Sequence, residues 1–517
     1  MWKMLILLIL ILTNVLLQSQ IESKKLNGID AYIKKALTTF EVPGASVAVV
    51  KNGKVILAKG FGKKTLDKTQ PVDSQTLFGI ASNTKALTAT ALALLVEEGK
   101  IEWDKPVINY LPWFRMSDPY VTSEMTIRDL LVHRSGLGLG SGDLLWWPTS
   151  TYTRKEIIQR LRFVPLATSF RSAYAYDNVL YTVAGEVIKE VSGQVWEDFV
   201  SQRILKPVGM AGSDVRHSAT TKYPNVASTH ARVEGEVQKI APFTSDNVNP
   251  AGGINSNAED MAKWMIVQLD SGRLADGSYL FPPHVTKELW NLVTPIPIKE
   301  SEPELAPMRT NFKGYALGFR VQDYRGYKLV THTGGLPGYL SLVAMIPELK
   351  LGVTVLTNQE SSAAFNSIGF YVLDKFMRVE AHDWITAYEN VLKRKADKTS
   401  KTLELARSLR NMSSKPSLPL VQYAGKYEDN WYGKIDIIYD DGKLIMKFGH
   451  TPELVGTLEH WQYDTFVVRW HDRSLRADAY VTFYLNEKGK VEQARMKPFS
   501  PEVDFSFNFQ DLLLIPI

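Results

Sequence analysis

The amino-acid sequence predicts an α+β fold in which helices pack on an antiparallel sheet and a small all-β domain follows. Three observations lead to this prediction. β-rich runs stand near the N-terminus, helical patterns fill the middle of the chain, and three further β-rich runs arrive together between residues 327 and 357. Because strands come first and last, this order indicates a layered antiparallel architecture and not a doubly wound parallel sheet. The last hundred residues then change to short strand patterns separated by turns.

The composition is that of a folded protein with at least one large core. The chain has 517 residues, of which 45% are hydrophobic, and this length predicts two or three domains. Sixty Lys and Arg residues against 55 Asp and Glu residues leave a net charge of +5 without a long basic block, so no nucleic-acid partner is expected. The sequence has no cysteine, which excludes disulfides, a cysteine nucleophile and thiolate metal sites.

Residues 1–20 have the pattern of an export signal. A short basic start precedes an apolar segment, Leu5 to Leu17, that is shorter than a membrane span. The following residues make a poor cleavage site, since Ser19 is the one small residue among them. The segment is therefore predicted to be either a signal peptide or a retained N-terminal anchor. A cysteine-free exported chain is most simply a bacterial protein of the periplasm or the extracellular space.

The first elements are predicted to be a helix and a hairpin. Ile29 to Phe40 has the helical spacing of apolar residues, and the β-rich runs Ala45–Val50 and Val55–Ala58 flank Asn52-Gly53. An Asn-Gly pair between two such runs is the strongest short-range signal for a β-hairpin.

A helix of about four to five turns should follow, beginning near Ser82 and ending at Gly99. It is apolar on nearly every side, so it belongs inside the domain. Ser82 and Lys85 stand three residues apart and project from the same face of its first turn. A serine nucleophile needs a base, and both burial and the positive end of the helix lower the pKa of a lysine. The ordinary alternative is a helix start with an exposed lysine.

The middle of the chain is predicted to alternate short helices with glycine loops. Helical patterns occur at Thr126–Val132, Arg154–Arg162, Asn178–Val191, Val195–Ile204 and Asn257–Asp270, the last capped by Ser256 or Asn257. Glycine loops are predicted at Gly138–Gly142 and Pro250–Ser256. Trp146 and Trp147 either line a substrate cleft or cover one side of the core.

Three β-rich runs complete the sheet. Tyr327–Thr333, Leu340–Ile346 and Leu351–Thr357 have connections short enough for an antiparallel meander, which the early hairpin can join. An amphipathic helix, Ala363–Met377, closes this domain.

Beyond it, the chain is predicted to form a linker and a second domain. The boundaries are residues 21–380 for the first domain, 381–419 for a solvated helical linker and 420–517 for the small β domain. The strand patterns there are Ile435–Tyr439, Lys443–Phe448, Thr465–Trp470, Tyr480–Tyr484 and Lys490–Met496. They indicate an antiparallel barrel or sandwich. Because no reactive cluster stands among them, a cap, a spacer or an oligomerisation role is expected in place of a second active site.

Three motifs now stand in order: Ser82-Asn83-Thr84-Lys85, Tyr176-Asp177-Asn178 and His332-Thr333-Gly334-Gly335. Their order and spacing resemble those of the serine hydrolase superfamily of class C β-lactamases, penicillin-binding D-Ala-D-Ala peptidases, D-amino-acid peptidases and β-lactamase-like esterases. This resemblance implies the β-lactamase/transpeptidase-like fold.

Further segments share the resemblance, namely Leu130–Leu137, Pro207–Met210 and Gly252-Gly253. It extends from Leu26 to Met377, and the C-terminal part resembles a small β-barrel domain that is appended to some of these hydrolases.

The resemblance implies a role for each motif residue. Ser82 would attack a carbonyl carbon, while Lys85 and Tyr176 share the work of general base. Asn178 would bind the substrate amide or Lys85, and the backbone N–H groups of Ser82 and Gly335 would form the oxyanion hole. His332, Thr333 and Gly334 are also assigned to substrate binding. No metal or organic cofactor is implied.

Each motif residue also has an ordinary structural explanation. Tyr176 could be a core aromatic residue, Asn178 the cap of the helix that follows it, and Gly334-Gly335 a tight turn. The ordered combination of three motifs favours the catalytic interpretation.

One departure from the superfamily pattern bears on the substrate. Many of its β-lactamases and D-Ala-D-Ala peptidases have a lysine where this chain has His332, and an ordinary histidine, with a pKa of about 6.5, is largely uncharged at neutral pH. We therefore predict a weaker dependence on a substrate carboxylate.

The predicted function is that of an exported acyl-serine hydrolase for D-amino-acid-containing peptides or amides, or for small esters. The alternatives are a β-lactamase of class C type and a non-catalytic penicillin-binding sensor of peptidoglycan. The expected partners are small peptide, ester or β-lactam substrates, with membrane anchoring through the N-terminal segment and oligomerisation through the C-terminal domain as further options.

Overall fold

The computed structural model describes residues 25–377 and 379–517. The export signal predicted at residues 1–20 lies outside the described residues. Within the described ranges, no helix has the length and apolar character needed to cross a membrane.

An antiparallel sheet organises the first part of the chain. The strands up to residue 357 are β1 (Gly44–Lys51), β2 (Lys54–Gly62), β3 (Phe78–Gly79), β4 (His230–Val233), β5 (Glu236–Lys239), β6 (Asn255–Ser256), β7 (Thr294–Pro295), β8 (Lys313–Tyr315), β9 (Arg320–Tyr324), β10 (Tyr327–Leu336), β11 (Tyr339–Ile346) and β12 (Leu351–Thr357). Eight of these form one sheet in the order β2-β1-β12-β11-β10-β9-β8-β7. The short pairs β3-β6 and β4-β5 stand apart from it.

The predicted hairpin and meander are confirmed. Asn52 and Gly53 both have positive φ angles, 50° and 72°, as a tight turn between twisted strands requires. β1 pairs with β12, so the early hairpin joins the late meander as expected, with Val47 opposite Val355. β10 is longer than predicted: Gly334 and Gly335 lie in the strand and not in the turn that follows it.

The helices are α1 (Ile29–Thr39), α2 (Thr84–Glu97), α3 (Pro119–Glu124), α4 (Arg154–Arg160), α5 (Val179–Ser192), α6 (Trp196–Val200), α7 (Lys206–Val208), α8 (Asn249–Gly252), α9 (Ala258–Leu269), α10 (Pro283–Leu289), α11 (Ser362–Met377) and α12 (Trp384–Ser408). Their apolar residues cover both faces of the sheet. α2 is buried along almost its whole length, which confirms the prediction of an internal helix. Asn257 caps α9, since its side chain accepts a hydrogen bond from Asp260 N.

Two predictions about local structure are wrong. Thr126–Val132 forms turns and not a helix: Leu130 N donates to Thr126 O, but Leu131 N donates to Arg128 O, and His133 then takes a left-handed conformation with a φ of 57°. The predicted loop Pro250–Ser256 contains most of α8 and all of β6. Proline is compatible with the first turn of a helix, where its missing N–H removes no helical hydrogen bond.

The C-terminal part is a closed antiparallel barrel. Its strands are β13 (Gly425–Asp429), β14 (Gly433–Asp440), β15 (Lys443–Phe448), β16 (Val455–Gln462), β17 (Thr465–Trp470), β18 (Ala479–Leu485), β19 (Val491–Pro498) and β20 (Leu513–Pro516). The sandwich alternative is therefore excluded. Tyr423, Tyr427, Phe466 and Phe483 lie in contact inside it, so its interior is a packed core.

The barrel is packed against the helical side of the first part. One hydrophobic cluster includes residues of α2 and α5 together with barrel residues. Tyr152 lies at this contact, where its hydroxyl donates to Tyr432 O and its ring stacks on His450. The barrel therefore shares a core with the part of the chain that carries Ser82.

Candidate active site

Ser82 stands on a strained turn at the start of α2. Ala81, directly before it, has a φ of 49°, which is uncommon for a residue other than glycine. Residues Ala81–Asn83 form a 3₁₀ turn that leads into α2, and Ser82 keeps partial exposure at a cavity wall. This geometry presents the hydroxyl of Ser82 to the cavity while the rest of the helix is buried.

Lys85 lies beneath Ser82 in the buried first turn of α2. Its Nζ atom is 3.1 Å from Ser82 Oγ, 2.8 Å from Asn178 Oδ1 and 2.9 Å from Ala251 O. Its side chain is fully shielded from solvent. The alternative of an exposed lysine at a helix start is therefore excluded.

The charge state of Lys85 follows from this burial. Desolvation lowers its pKa to about 7, and the positive charge of Arg320 acts in the same direction. The nearby carboxyl groups of Asp143 and Asp177 oppose the shift. A substantial neutral fraction of the amine therefore exists near neutral pH, as a base for Ser82 requires.

Tyr176 completes a group of three. Lys85 Nζ lies 4.9 Å from the centre of the Tyr176 ring. Burial raises the pKa of Tyr176, and a hydrogen bond with Ser82 partly offsets that rise. The hydroxyl, the amine and the phenol that the sequence singled out are thus brought together.

The segment around His133 holds the loop that carries Tyr176. His133 O accepts a hydrogen bond from Ala175 N, and its Nδ1 atom accepts one from Asp177 N. Its ring centre lies 4.3 Å from that of Tyr176. Burial holds the pKa of His133 well below the usual range, so it acts as a neutral acceptor. Through His133, the Leu130–Leu137 segment therefore fixes the backbone on both sides of Tyr176.

Asn178 connects Lys85 to a buried carboxyl group. Its Oδ1 atom accepts from Lys85, and its Nδ2 atom donates to Asp143 Oδ2 over 2.8 Å. No side-chain hydrogen bond to the helix start accompanies its position before α5, so the cap alternative is not supported. Asp143 was not predicted from the sequence. Its position directly after the glycine loop Gly138–Gly142 was the one available signal.

β10 approaches the nucleophile turn closely. A Cβ atom on Gly334 would lie only 2.1 Å from Ile80 O, so a side chain there would push the strand away from Ser82. Thr333 and Gly335 line the cavity, whereas His332 is buried behind them. His332 Nε2 is 2.7 Å from the Tyr315 hydroxyl. Desolvation holds the pKa of His332 well below its usual range, so this residue is uncharged.

Arg320 supplies a positive charge that the sequence analysis missed. It lies on β9 opposite Thr331 of β10, and its Nη1 atom donates to Thr333 Oγ1 over 3.2 Å. It lines the cavity, and its guanidinium lies 5.6 Å from the Tyr176 ring centre. Strand pairing was the signal that could have found it, since β9 and β10 form a hairpin.

The cavity in front of Ser82 has a volume of about 630 Å³ and is lined by both parts of the chain. Trp146 packs into the core, whereas Trp147 is half-buried, and both residues line the cavity. The tryptophan pair therefore both lines the cavity and covers the core, so the two alternatives are not exclusive. Trp147 stacks on Phe243, and Phe507 of the barrel closes on it with ring centres 6.3 Å apart. The result is an aromatic wall beside the nucleophile.

Comparison with known families agrees with this fold. The family model described as β-lactamase matches residues 29–375, which is more than half of the chain. The chain therefore belongs to the β-lactamase family, a family of acyl-serine hydrolases. A domain of unknown function matches residues 409–515.

The chain is similar to a fungal protein and to a staphylococcal protein. The unguisins hydrolase ungD of Aspergillus violaceofuscus is 27% identical over 86% of this chain and 83% of its own length. Protein flp of Staphylococcus aureus strain MW2 is 29% identical over 64% of this chain and 63% of its own length.

Solved structures share the fold. The octameric penicillin-binding protein homologue of Pyrococcus abyssi has a TM-score of 0.60 at 22% identity and covers 95% of this chain and 99% of its own. The D-amino acid amidase of Ochrobactrum anthropi SV3, complexed with L-phenylalanine amide, has a TM-score of 0.56 at 21% identity and covers 71% and 99%.

Proposed function

We propose that this protein is an exported acyl-serine hydrolase that cleaves D-amino-acid-containing peptides or amides, or small esters. The observation that carries the proposal is the buried Lys85, whose amine lies 3.1 Å from Ser82 Oγ and has a pKa lowered to about 7. A buried amine of this kind beside a hydroxyl group exposed to the cavity is the arrangement that activates a serine nucleophile.

The proposed reaction has two stages. Ser82 Oγ attacks the substrate carbonyl carbon while its proton passes to the neutral Lys85 amine, directly or by way of the Tyr176 hydroxyl, and the same pair returns a proton to the leaving amine or alcohol. The backbone N–H groups of Ser82 and Gly335 would stabilise the oxyanion. Water then attacks the acyl-Ser82 ester, gives up a proton to the same base, and releases the carboxylic acid with Ser82 restored.

The cavity supports a substrate with a bulky apolar portion and an anionic end. Trp147, Phe243 and Phe507 offer apolar surface on one side of Ser82. Arg320, next to Thr333, adds a fixed positive charge to the cavity lining. The sequence prediction assumed that this charge is absent because His332 replaces a lysine. Arg320 removes that premise, and we now propose that a substrate carboxylate contributes to binding.

The names of the relatives support the amide and peptide class. One fungal relative is called a hydrolase of unguisins, and a structural neighbour is a D-amino acid amidase. Because of these names and the aromatic cavity wall, we propose D-amino-acid peptides and amides ahead of simple esters.

Intact-mass analysis after incubation with a fluorophosphonate and with a penicillin tests the proposal. We expect a fluorophosphonate adduct on Ser82 that Ser82→Ala abolishes, and turnover in a screen of D-amino amides, p-nitrophenyl esters and a chromogenic cephalosporin. A stable penicillin adduct without any turnover would favour the sensor. Fastest turnover of the cephalosporin would favour a β-lactamase of class C type.

Export is part of the proposal, and it rests on the basic start and apolar run of residues 1–20. Fractionation of the native host, followed by N-terminal mass analysis, tests it. A cleaved N-terminus outside the cytoplasm would support a signal peptide, and an intact one in the membrane fraction would support an anchor.

A further inference from the structure

The barrel reaches the interior of the candidate site through one segment, residues 504–511. Ser506 and Asn508 of this segment are buried where it contacts the loop Gly138–Gly142 and Asp143, the residue that follows this loop. Asn508 Oδ1 accepts a hydrogen bond from Leu144 N. A Cβ atom on Gly140 would lie 2.7 Å from Phe505 O, so the two backbones meet with no room for a side chain. The position of Asp143 therefore depends directly on the barrel.

The hydroxyl of Ser506 donates to Asp143 Oδ2 over 2.8 Å. The same oxygen accepts from Asn178 Nδ2, also over 2.8 Å, and Asn178 Oδ1 accepts from Lys85 Nζ over 2.8 Å. All four residues are buried. An unbroken line of hydrogen bonds thus runs from the barrel to the amine that lies beside Ser82.

The pattern of donors around Asp143 indicates which form of its carboxyl group the site favours. Trp146 Nε1 donates to Oδ1, and Ser506 and Asn178 donate to Oδ2. Three donors facing one carboxyl group match the ionised, acceptor-only form. Desolvation raises the pKa of Asp143 to about 7, and these three hydrogen bonds oppose that rise. These opposing effects leave the pKa of Asp143 near neutral pH.

The ionised form also fixes the orientation of Asn178. While Asp143 Oδ2 is an acceptor, the amide must turn its NH₂ group toward it and its oxygen toward Lys85. A proton on Asp143 would oppose this orientation and weaken the contact between Asn178 and Lys85. The titratable or charged groups that face Lys85 and Asp143 from the first part of the chain are Asp177, His133, Tyr176, Tyr181, Arg320 and His332. On the barrel segment they are Asp504, which accepts from Ser506 N over 2.9 Å, and Asp511, which accepts from Ser141 Oγ over 3.1 Å.

We propose that the C-terminal barrel is a working part of the active site, in which Ser506 is a positioning residue. It holds the Asp143 carboxylate, and through it Asn178, so that Lys85 is kept ready to take the Ser82 proton. This inference rests on the proposed function and extends it, because it gives the appended domain a role in the reaction. The sequence alone indicated only a cap, a spacer or an oligomerisation role for this domain.

The test is the pH dependence of Ser82 labelling by a fluorophosphonate, measured on the full-length protein by intact mass. Ser506→Ala removes a donor to the ionised carboxyl group of Asp143. The reactive form requires a neutral Lys85 and an ionised Asp143 at the same time, so the acid limb belongs to both groups, and loss of this donor means that the form is reached only at higher pH. We expect the acid limb of the labelling profile to move to higher pH by about one unit, the size of effect that loss of one charge-assisted hydrogen bond produces. At pH values on that limb, labelling should slow about tenfold.

Three further variants make the result specific. Ser506→Cys keeps nearly the same volume with a weak donor, so it should shift the limb in the same direction, and Ser506→Thr keeps the hydroxyl and should restore the original profile. Ser417→Ala is the matched control, because Ser417 Oγ also donates to a carboxylate over 2.8 Å, to Asp464 on the barrel surface. Its profile should coincide with that of the unmodified protein.

The outcomes separate the two proposals. If the unmodified protein is labelled at Ser82 and the Ser506→Ala and Ser506→Cys profiles superimpose on its profile, the positioning role is overturned and the proposed function stands. A lower melting temperature without a shift of the limb also overturns it, since that result shows only a structural contact. If Ser82 is not labelled at any pH, the proposed function fails and the positioning role fails with it.

Discussion

Lys85 owes its suitability as a base to burial, and that origin predicts a pH dependence. The amine can accept a proton only in its neutral form, and its pKa is lowered to about 7 by desolvation. Acylation of Ser82 should therefore be slow at pH 5 and rise as the pH passes through about 7. Stopped-time labelling with a fluorophosphonate between pH 5 and 9 measures this. A rate that rises only near pH 10, where an exposed lysine loses its proton, would contradict the assignment.

Tyr176 allows a second prediction at the residue scale. Tyr176→Phe keeps the packing against His133 but removes the hydroxyl that interacts with Ser82. We expect acylation to slow by about 10² to 10⁴-fold, the usual contribution of a group that transfers a proton. Tyr339→Phe is the control, because it loses a buried hydroxyl that donates to Ala227 O. Equal rates for the two variants would remove Tyr176 from the mechanism.

Arg320 allows a prediction that distinguishes the binding of substrates with a carboxylate from the binding of uncharged substrates. Arg320→Gln should weaken binding of a peptide with a free carboxylate by about tenfold to a hundredfold, the usual value of a hydrogen bond to a charged group. A neutral p-nitrophenyl ester serves as the internal control and should keep its KM. The measurement is KM for both substrates in both proteins. An equal change for the two substrates would show that Arg320 supports the fold and does not bind a carboxylate.

At the scale of secondary-structure elements, Gly334 allows β10 to lie close to the turn that carries Ser82. Gly334→Ala would place a Cβ atom 2.1 Å from Ile80 O, and neither backbone can move without displacing Ser82. We expect the free energy of unfolding to fall by about 1 to 3 kcal/mol, as overpacking of a core does, together with slower labelling of Ser82. Urea denaturation and labelling rates measure the two effects.

Gly425→Ala is the control for this substitution. Its Cβ atom would meet only Tyr427 Cε2, at 3.8 Å, which is an ordinary contact in an exposed part of β13. It should leave stability and labelling nearly unchanged. Similar losses in both variants would mean that replacing any strand glycine by alanine lowers the stability, and that the close approach of β10 to Ser82 is not the cause.

Local sequence patterns predicted elements better than they predicted neighbours. α2 and the strands of the meander were found because their apolar residues extend over a whole element. Thr126–Val132 was misjudged because its apolar spacing is helical, while the left-handed conformation of His133, with a φ of 57°, follows it directly and is not recorded by any periodicity. Asp143 and Arg320 were missed because only tertiary structure brings them to Asn178 and Thr333.

At the scale of the whole molecule, the sequence predicted two separate domains, whereas the structure shows that they share one hydrophobic cluster. A change in composition near residue 420 predicted a separate barrel without a reactive cluster, and the barrel itself is confirmed. Its contribution was not predictable, because Ser506 reaches Asp143 from 363 residues away along the chain. Domain composition carries no information about which surface loop of one domain enters the site of another.

The hydrophobic cluster shared by the two parts predicts how the protein unfolds. Because one hydrophobic cluster includes residues of α2 and of the barrel, both parts should unfold in a single calorimetric transition. Tyr152→Ala removes a ring buried between Arg160 and His450 and should cost about 3 to 5 kcal/mol at this contact, so that the barrel unfolds first in a separate transition. Tyr439→Ala, on the exposed surface of β14, should keep one transition. Two separated transitions in the unmodified protein would show that the barrel is thermodynamically independent of the part that carries Ser82.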